Sequence, residues 1–172
     1  DVLDFTDTQS FSVSLWFKTS TNAEMLFINR GYPDSGWEIL ILDNTNNNKV
    51  RWQYIGPGLV IDSVDTSSNN RNNGLWTNLV CTRDGTDAGG MFIYINGVLD
   101  STISSNANAG DATNANGMYF GSRASSTLFL TGQMDDVRVY NRVLTAAEAN
   151  QLFTTGYNNK FNNSGIRPRP FA

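Results

Sequence analysis

Carboxylates are the side chains here most able to do chemistry, and their spacing decides which chemistry is open to them. Cleaving a glycosidic bond takes two carboxyl groups about 5–9 Å apart, one of them an acid with a raised pKa. On a β-strand that arrangement comes from acids two residues apart, whose side chains share a face. The chain has three glutamates, Glu24, Glu38 and Glu148, and none has a second acid two residues away. Asp135 and Asp136 are adjacent, so on a regular strand they face opposite ways and cannot span one bond. There is no histidine, which removes the Ser-His-Asp and Cys-His nucleophile systems and His-ligated zinc. Cys81 is the only cysteine, so an internal disulfide is excluded. These residues point to binding rather than to turnover.

Two kinds of binding fit. A hard cation such as calcium needs several oxygen ligands, usually two or more of them carboxylates. Asp135 and Asp136 are the best-placed source, with Asp4 joining them if the first and last strands lie side by side. The same acids can instead pair with Arg138 or Arg142. A sugar needs an aromatic surface with a few convergent hydrogen-bonding groups. The turn Tyr32-Pro-Asp-Ser-Gly-Trp37 carries two aromatics expected to be exposed, and Arg51 and Gln53 share a face of the strand that follows. Trp16, Trp52 and Trp76 read instead as core or sheet-face packing.

The elements that must position these groups are mostly strands. Period-two alternation predicts them at 10–18, 25–29, 37–43, 49–55, 59–64, 75–82, 91–96, 98–103, 118–121 and 133–140. In the first, Phe11, Val13, Leu15 and Phe17 share one face. Asn-rich clusters separate the strands, because Asn tolerates left-handed backbone and bonds its own chain. Asn96-Gly97 predicts a type I′ hairpin, and Arg83-Asp84-Gly85 opens a longer one. Thr145-Ala-Ala-Glu148 has capping-box spacing and predicts one helix over 146–153, with Gly156 as its left-handed stop. After Tyr157 the chain reads as an extended arm or linker ending Ile166-Arg-Pro-Arg-Pro-Phe171.

Length and charge narrow the partners. At 172 residues the chain suits one domain with a real core. Its net charge of −4 offers no basic surface for a phosphate backbone, so nucleic acid is excluded as a natural partner. No apolar run approaches the ~18 residues of a membrane-spanning helix.

The segments FSVSLWFKTS, LWTNLVCTRDG, FIYINGVLD and FGSRASSTLFLTGQMDDVRVYNRVLTAAEANQLF, in this order, resemble laminin G-like modules of the concanavalin A-like group. The resemblance runs from about Phe5 to Tyr157. It implies an all-β, antiparallel two-sheet jelly-roll sandwich over 1–156 with one short C-terminal helix, then a tail over 157–172. Such modules usually open with a strand before FSVSLW, so that strand is expected to be cut short here. Members of the group bind glycans, proteins or calcium, or act as spacers, and many carry one calcium ion. The expectation is therefore a non-catalytic carbohydrate-binding or adhesion module of a larger extracellular or virion-surface protein. Its partner would be a polysaccharide or glycoconjugate, bound through Tyr32, Trp37, Arg51 and Gln53, with a structural calcium at Asp4, Asp135 and Asp136. The alternative is a capsid-decoration, fibre or surface-assembly protein whose C-terminal arm contacts other subunits.

Overall fold

The structure, a computed structural model, describes residues 3–31, 34–85, 90–103, 109–124 and 127–158. Among these residues ten strands and one α-helix follow the order β1 Phe11–Lys18, β2 Met25–Arg30, β3 Gly36–Ile41, β4 Val50–Ile55, β5 Ile61–Asp65, β6 Thr77–Arg83, β7 Met91–Ile95, β8 Val98–Ile103, β9 Met118–Phe120, β10 Gln133–Tyr140 and α1 Ala146–Tyr157. They form two five-stranded antiparallel sheets, β10-β1-β6-β7-β8 and β5-β4-β3-β2-β9. The jelly-roll sandwich expected from the sequence is what forms.

Alternation places the core. Phe11, Val13, Leu15 and Phe17 of β1 meet Trp37 and Ile39 of β3 and Trp52 of β4 between the sheets. The Phe11 ring lies 5.6 Å from that of Trp37 and 5.4 Å from that of Trp52. Burying each such side chain contributes about 1.5–3 kcal/mol, so this aromatic cluster is a large part of what holds the sheets together. Trp16 and Trp52 are packed as expected, whereas Trp37 is not the exposed turn aromatic that its neighbours suggest. It is wholly buried, because Gly36 already belongs to β3 and the alternation of that strand turns the indole inward.

Among the described residues before β1, 3–10, there is no strand. This segment runs as a strap across one end of the sandwich. Phe5 stacks on Phe11 at 4.0 Å, its carbonyl accepts the Tyr54 hydroxyl at 2.9 Å, and the Leu3 carbonyl accepts Trp37 Nε1 at 3.3 Å. Arg83, fully buried, donates to the Asp7 carbonyl at 2.8 Å and lies 3.7 Å over the Tyr54 ring.

Each sheet also carries a cover on its outer face. Helix α1 lies on the first sheet, where Ala149 and Leu144 pack with Val80 and Tyr94, and Phe153 stacks on Trp16 at 5.9 Å. The predicted capping box is present at Thr145 and Glu148. The helix does not stop at Gly156, which is buried within its last turn. A Cβ there would meet Trp16 Nε1 at 2.6 Å, so glycine serves close approach rather than a left-handed end. On the second sheet, Leu128 packs over Leu26, Leu40 and Leu42 and its carbonyl accepts Leu26 N–H at 3.0 Å.

The hairpin at Asn96-Gly97 has φ of 50° and 75°, as a type I′ turn requires. Asp84 N–H donates to the Gly90 carbonyl at 2.9 Å, closing the base of the longer hairpin, and residues 86–89 lie outside the described residues. Among the described residues no helix is long and apolar enough to cross a membrane.

Candidate functional site

The expected sugar site is only partly assembled. Arg51 and Gln53 do share the outer face of β4. Arg51 is held by Asp65 on β5 through a two-pronged pair at 2.7 and 2.9 Å. Gln53 is buried and donates to Glu38 Oε2 at 3.4 Å. Trp37 lies on the opposite side, in the core, and is corrected from a stacking platform to a core residue. Tyr32 lies outside the described residues.

Glu38 bears on catalysis. Desolvation pushes its carboxyl above the ordinary range, countered by Arg123, whose Nη2 donates to Oε2 at 2.6 Å. A raised carboxylic acid is the property a glycosidase acid needs. Here, however, the group is 1% exposed and engaged by Asn29, Gln53 and Arg123, so it has no open path to a bond. Its burial makes it a clasp between the sheet and the segment carrying Arg123.

The calcium ligand set does not come together. Asp4 sits in the N-terminal strap and pairs with buried Arg30 on β2 of the other sheet. Asp136 pairs with Arg138. β1 and β10 do lie side by side, but Asp4 precedes β1 and turns away from both acids. Among the described residues no three or more acids, cysteines or histidines gather where a metal could sit. These residues do not fit the ion.

The two adjacent aspartates are placed by an irregularity that alternation does not reveal. Ser14 opposes Arg138, yet Trp16 opposes Asp135, so β10 carries one extra residue. Asp136 takes it up with φ of 51°, a left-handed conformation uncommon outside glycine and tolerated best by Asn and Asp. Met134 and Val137 both pack toward the core, so two residues separate successive inward positions. The bulge thereby leaves Asp136 on the outer side, facing α1, instead of on a face opposite to Asp135.

There it helps line a cleft of about 310 Å³ between β10 and α1. One wall is Asp136, Arg138, Tyr140 and Arg142; the other is Glu148, Gln151 and Thr155; Leu144, Leu152 and Gly156 are at its base. Arg138 grips Asp136 at 2.8 and 3.1 Å, and Arg142 grips Glu148 at 2.9 and 2.6 Å. Both guanidiniums are held above their ordinary pKa, Arg138 first by Asp136 and then by Tyr140, Arg142 first by Glu148. Arg142 in turn draws Glu148 down to about 2. The cleft therefore holds two cations and two anions, each paired, beside a tyrosine. About half of each arginine side chain is open to water.

The sequence offers Asp136 either as a metal ligand or as a partner of Arg138 or Arg142, and it pairs with Arg138; it does not mark Arg138, Tyr140, Arg142 and Gln151 as lining one cleft. The signal was present in the alternation of Arg138 and Tyr140 along β10. What the sequence did not show is that α1 folds back along this strand to make a second wall. The arm over 159–172 lies outside the described residues.

The fold is shared with solved binding domains. The binding domain of botulinum neurotoxin serotype G superposes with a TM-score of 0.69 at 20% identity, covering 91% of this chain and 39% of that one. That of Paraclostridial Mosquitocidal Protein 1 gives 0.68 at 20% identity, covering 90% and 39%. A third, reported as showing that cell entry of botulinum neurotoxin type C depends on two ganglioside molecules, gives 0.60 at 21% identity, covering 86% and 36%. The chain thus spans under two-fifths of the length of each of these structures. No curated protein sequence matches it. The sequence model described as the concanavalin A-like lectin/glucanases superfamily, Laminin_G_3, matches residues 1–150. With that match over most of its length and both sheets in place, the chain belongs to the concanavalin A-like lectin/glucanases superfamily.

Proposed function

We propose that this domain is a non-catalytic recognition module that binds the glycan of an extracellular glycoconjugate, and that the cleft between β10 and α1 is where it does so. The observation that carries the reading is the composition of that cleft. Hydrogen-bond donors and acceptors line both walls, Tyr140 lies among them, and aliphatic side chains lie at the base. Saccharides are met by this mixture of polar edges and apolar surface. Supporting it, Glu38, a buried acid with a raised pKa, is covered and engaged by Asn29, Gln53 and Arg123. The superfamily includes lectins, and one structural relative is described as interacting with gangliosides.

The test is titration calorimetry against oligosaccharides chosen from a glycan array, on the native domain and on Tyr140→Ala. Saturable binding that the substitution weakens at least fivefold, in a variant whose circular dichroism shows it folded at the titration temperature, supports the reading. Release of reducing ends from any polymer would overturn it.

A further inference from the structure

We infer that the cleft selects uncharged sugars over acidic ones, an inference that rests on the glycan reading above. The argument starts from charge balance. Arg138 and Arg142 would by themselves make an anion site, since guanidinium groups grip carboxylates in a two-pronged way. Each already has a carboxylate in that grip, Asp136 and Glu148 respectively, and both carboxylates line the same cleft. Each guanidinium keeps N–H groups to spare, but its charge is already matched, so a carboxylated sugar entering here would stand beside Asp136 or Glu148 with no unmatched cation to offset the repulsion. A hydroxyl has no such conflict. It donates and accepts at once, so it can bridge a guanidinium N–H and the oxygen of its carboxylate partner without breaking the pair.

The backbone supports a built arrangement rather than a chance one. Asp136 stands at φ 51° in the bulge of β10, a left-handed conformation that few residue types other than glycine, Asn and Asp adopt. The hydrogen bond from its own amide to Asp135 Oδ1, at 2.7 Å, helps to hold that turn. The bulge delivers a carboxylate to the outer side, where Arg138 is.

The experiment compares lactose with 3′-sialyllactose, which adds one carboxylated residue to the same neutral core. Both are titrated by ligand-observed NMR and calorimetry against the native domain, Asp136→Asn and Tyr140→Phe. Asn suits left-handed backbone at least as well as Asp, so Asp136→Asn keeps the bulge while leaving one cation unmatched. The native domain should bind lactose at least threefold more tightly than sialyllactose. Asp136→Asn should raise sialyllactose affinity about two- to fivefold, the range expected of one exposed charge pair, and more so at low salt. Tyr140→Phe should weaken lactose about two- to tenfold, as loss of one hydroxyl hydrogen bond does.

Equal or tighter native binding of sialyllactose would overturn the neutral preference while leaving glycan binding intact. Lactose binding indifferent to both substitutions would overturn the assignment to this cleft. No binding by either sugar, with none from a wider neutral panel of maltotriose and cellotriose, would overturn the inference together with the glycan reading.

Discussion

The last turn of α1 rests on the indole of Trp16, so closely that a methyl group on Gly156 would fall 2.6 Å from Nε1 and 2.9 Å from Cε2. Elsewhere in a helix, Gly→Ala stabilises by up to about 1 kcal/mol. Here it should do the reverse. Gly156→Ala is expected to cost about 1–3 kcal/mol, the usual penalty for forcing extra volume into a packed contact. Denaturant unfolding followed by tryptophan fluorescence measures it, and a stabilised variant would mean that the helix does not lie on Trp16.

Trp37 offers a second contrast. Its side chain is fully buried against Phe11 and Trp52, so truncation removes core rather than a binding surface. Trp37→Ala should cost about 3–5 kcal/mol. Trp37→Phe keeps most of the volume and should cost less while leaving glycan affinity of the folded protein unchanged. Calorimetric melting and sugar titration on the same sample separate the two effects.

Arg83 ties the N-terminal strap to the sandwich through the Asp7 carbonyl and carboxylate and through the face of Tyr54. Arg83→Met should cost about 2–4 kcal/mol, less than the ~3–5 kcal/mol of a fully buried pair because Asp7 keeps some contact with water. Hydrogen exchange should accelerate first at the amide of Asp7, which donates to Asp111 Oδ1 at 2.8 Å. Unchanged exchange there would mean the strap is held by other contacts alone.

Glu148 provides a pH signature. Its carboxyl is drawn from 4.5 to about 2, first by Arg142 and then by the Thr145 cap. A depressed acid favours the folded state when ionised, so its contribution is complete above about 4.5 and lost as pH falls toward 2. Glu148→Gln retains a side chain able to close the capping box and removes the charge together with one of the two oxygens that accept from Arg142. The stability difference between native and variant should be flat well above pH 4.5 and shrink as pH falls through the range down to about 2. A difference undiminished at pH 2 would show that the charge is not its source.

Much of this fold is legible in the residues because one strong signal, alternation, governs each element locally. Phe11 to Phe17 cannot face the core in any other register without exposing four large side chains. The Asn96-Gly97 turn and the Thr145–Glu148 box are equally local, set by φ preference and by a three-residue spacing. The misread positions depend on contacts far along the chain. Gly156 reads as a helix end until Trp16 is placed beneath it. Trp37 opens the predicted strand yet reads as a turn aromatic until its pairing with Arg30 and Tyr54 sets its indole between the sheets. Asp136 reads as facing away from its neighbour until the offset against β1 reveals an extra residue. The cleft is harder still, since its walls come from a strand and a helix whose mutual placement is decided by packing on Val80 and Tyr94.

The bulge at Asp136 has a consequence beyond ligand choice. Among the described residues β10 is the edge strand of its sheet, eight residues long, paired with β1 along one side only. A flat ribbon of that kind is a template on which a second molecule can add its own strand. A kink in mid-course, with a charged pair beside it, spoils the match. Copies of this domain crowded together on one surface would slide past one another there instead of zipping into fibrils.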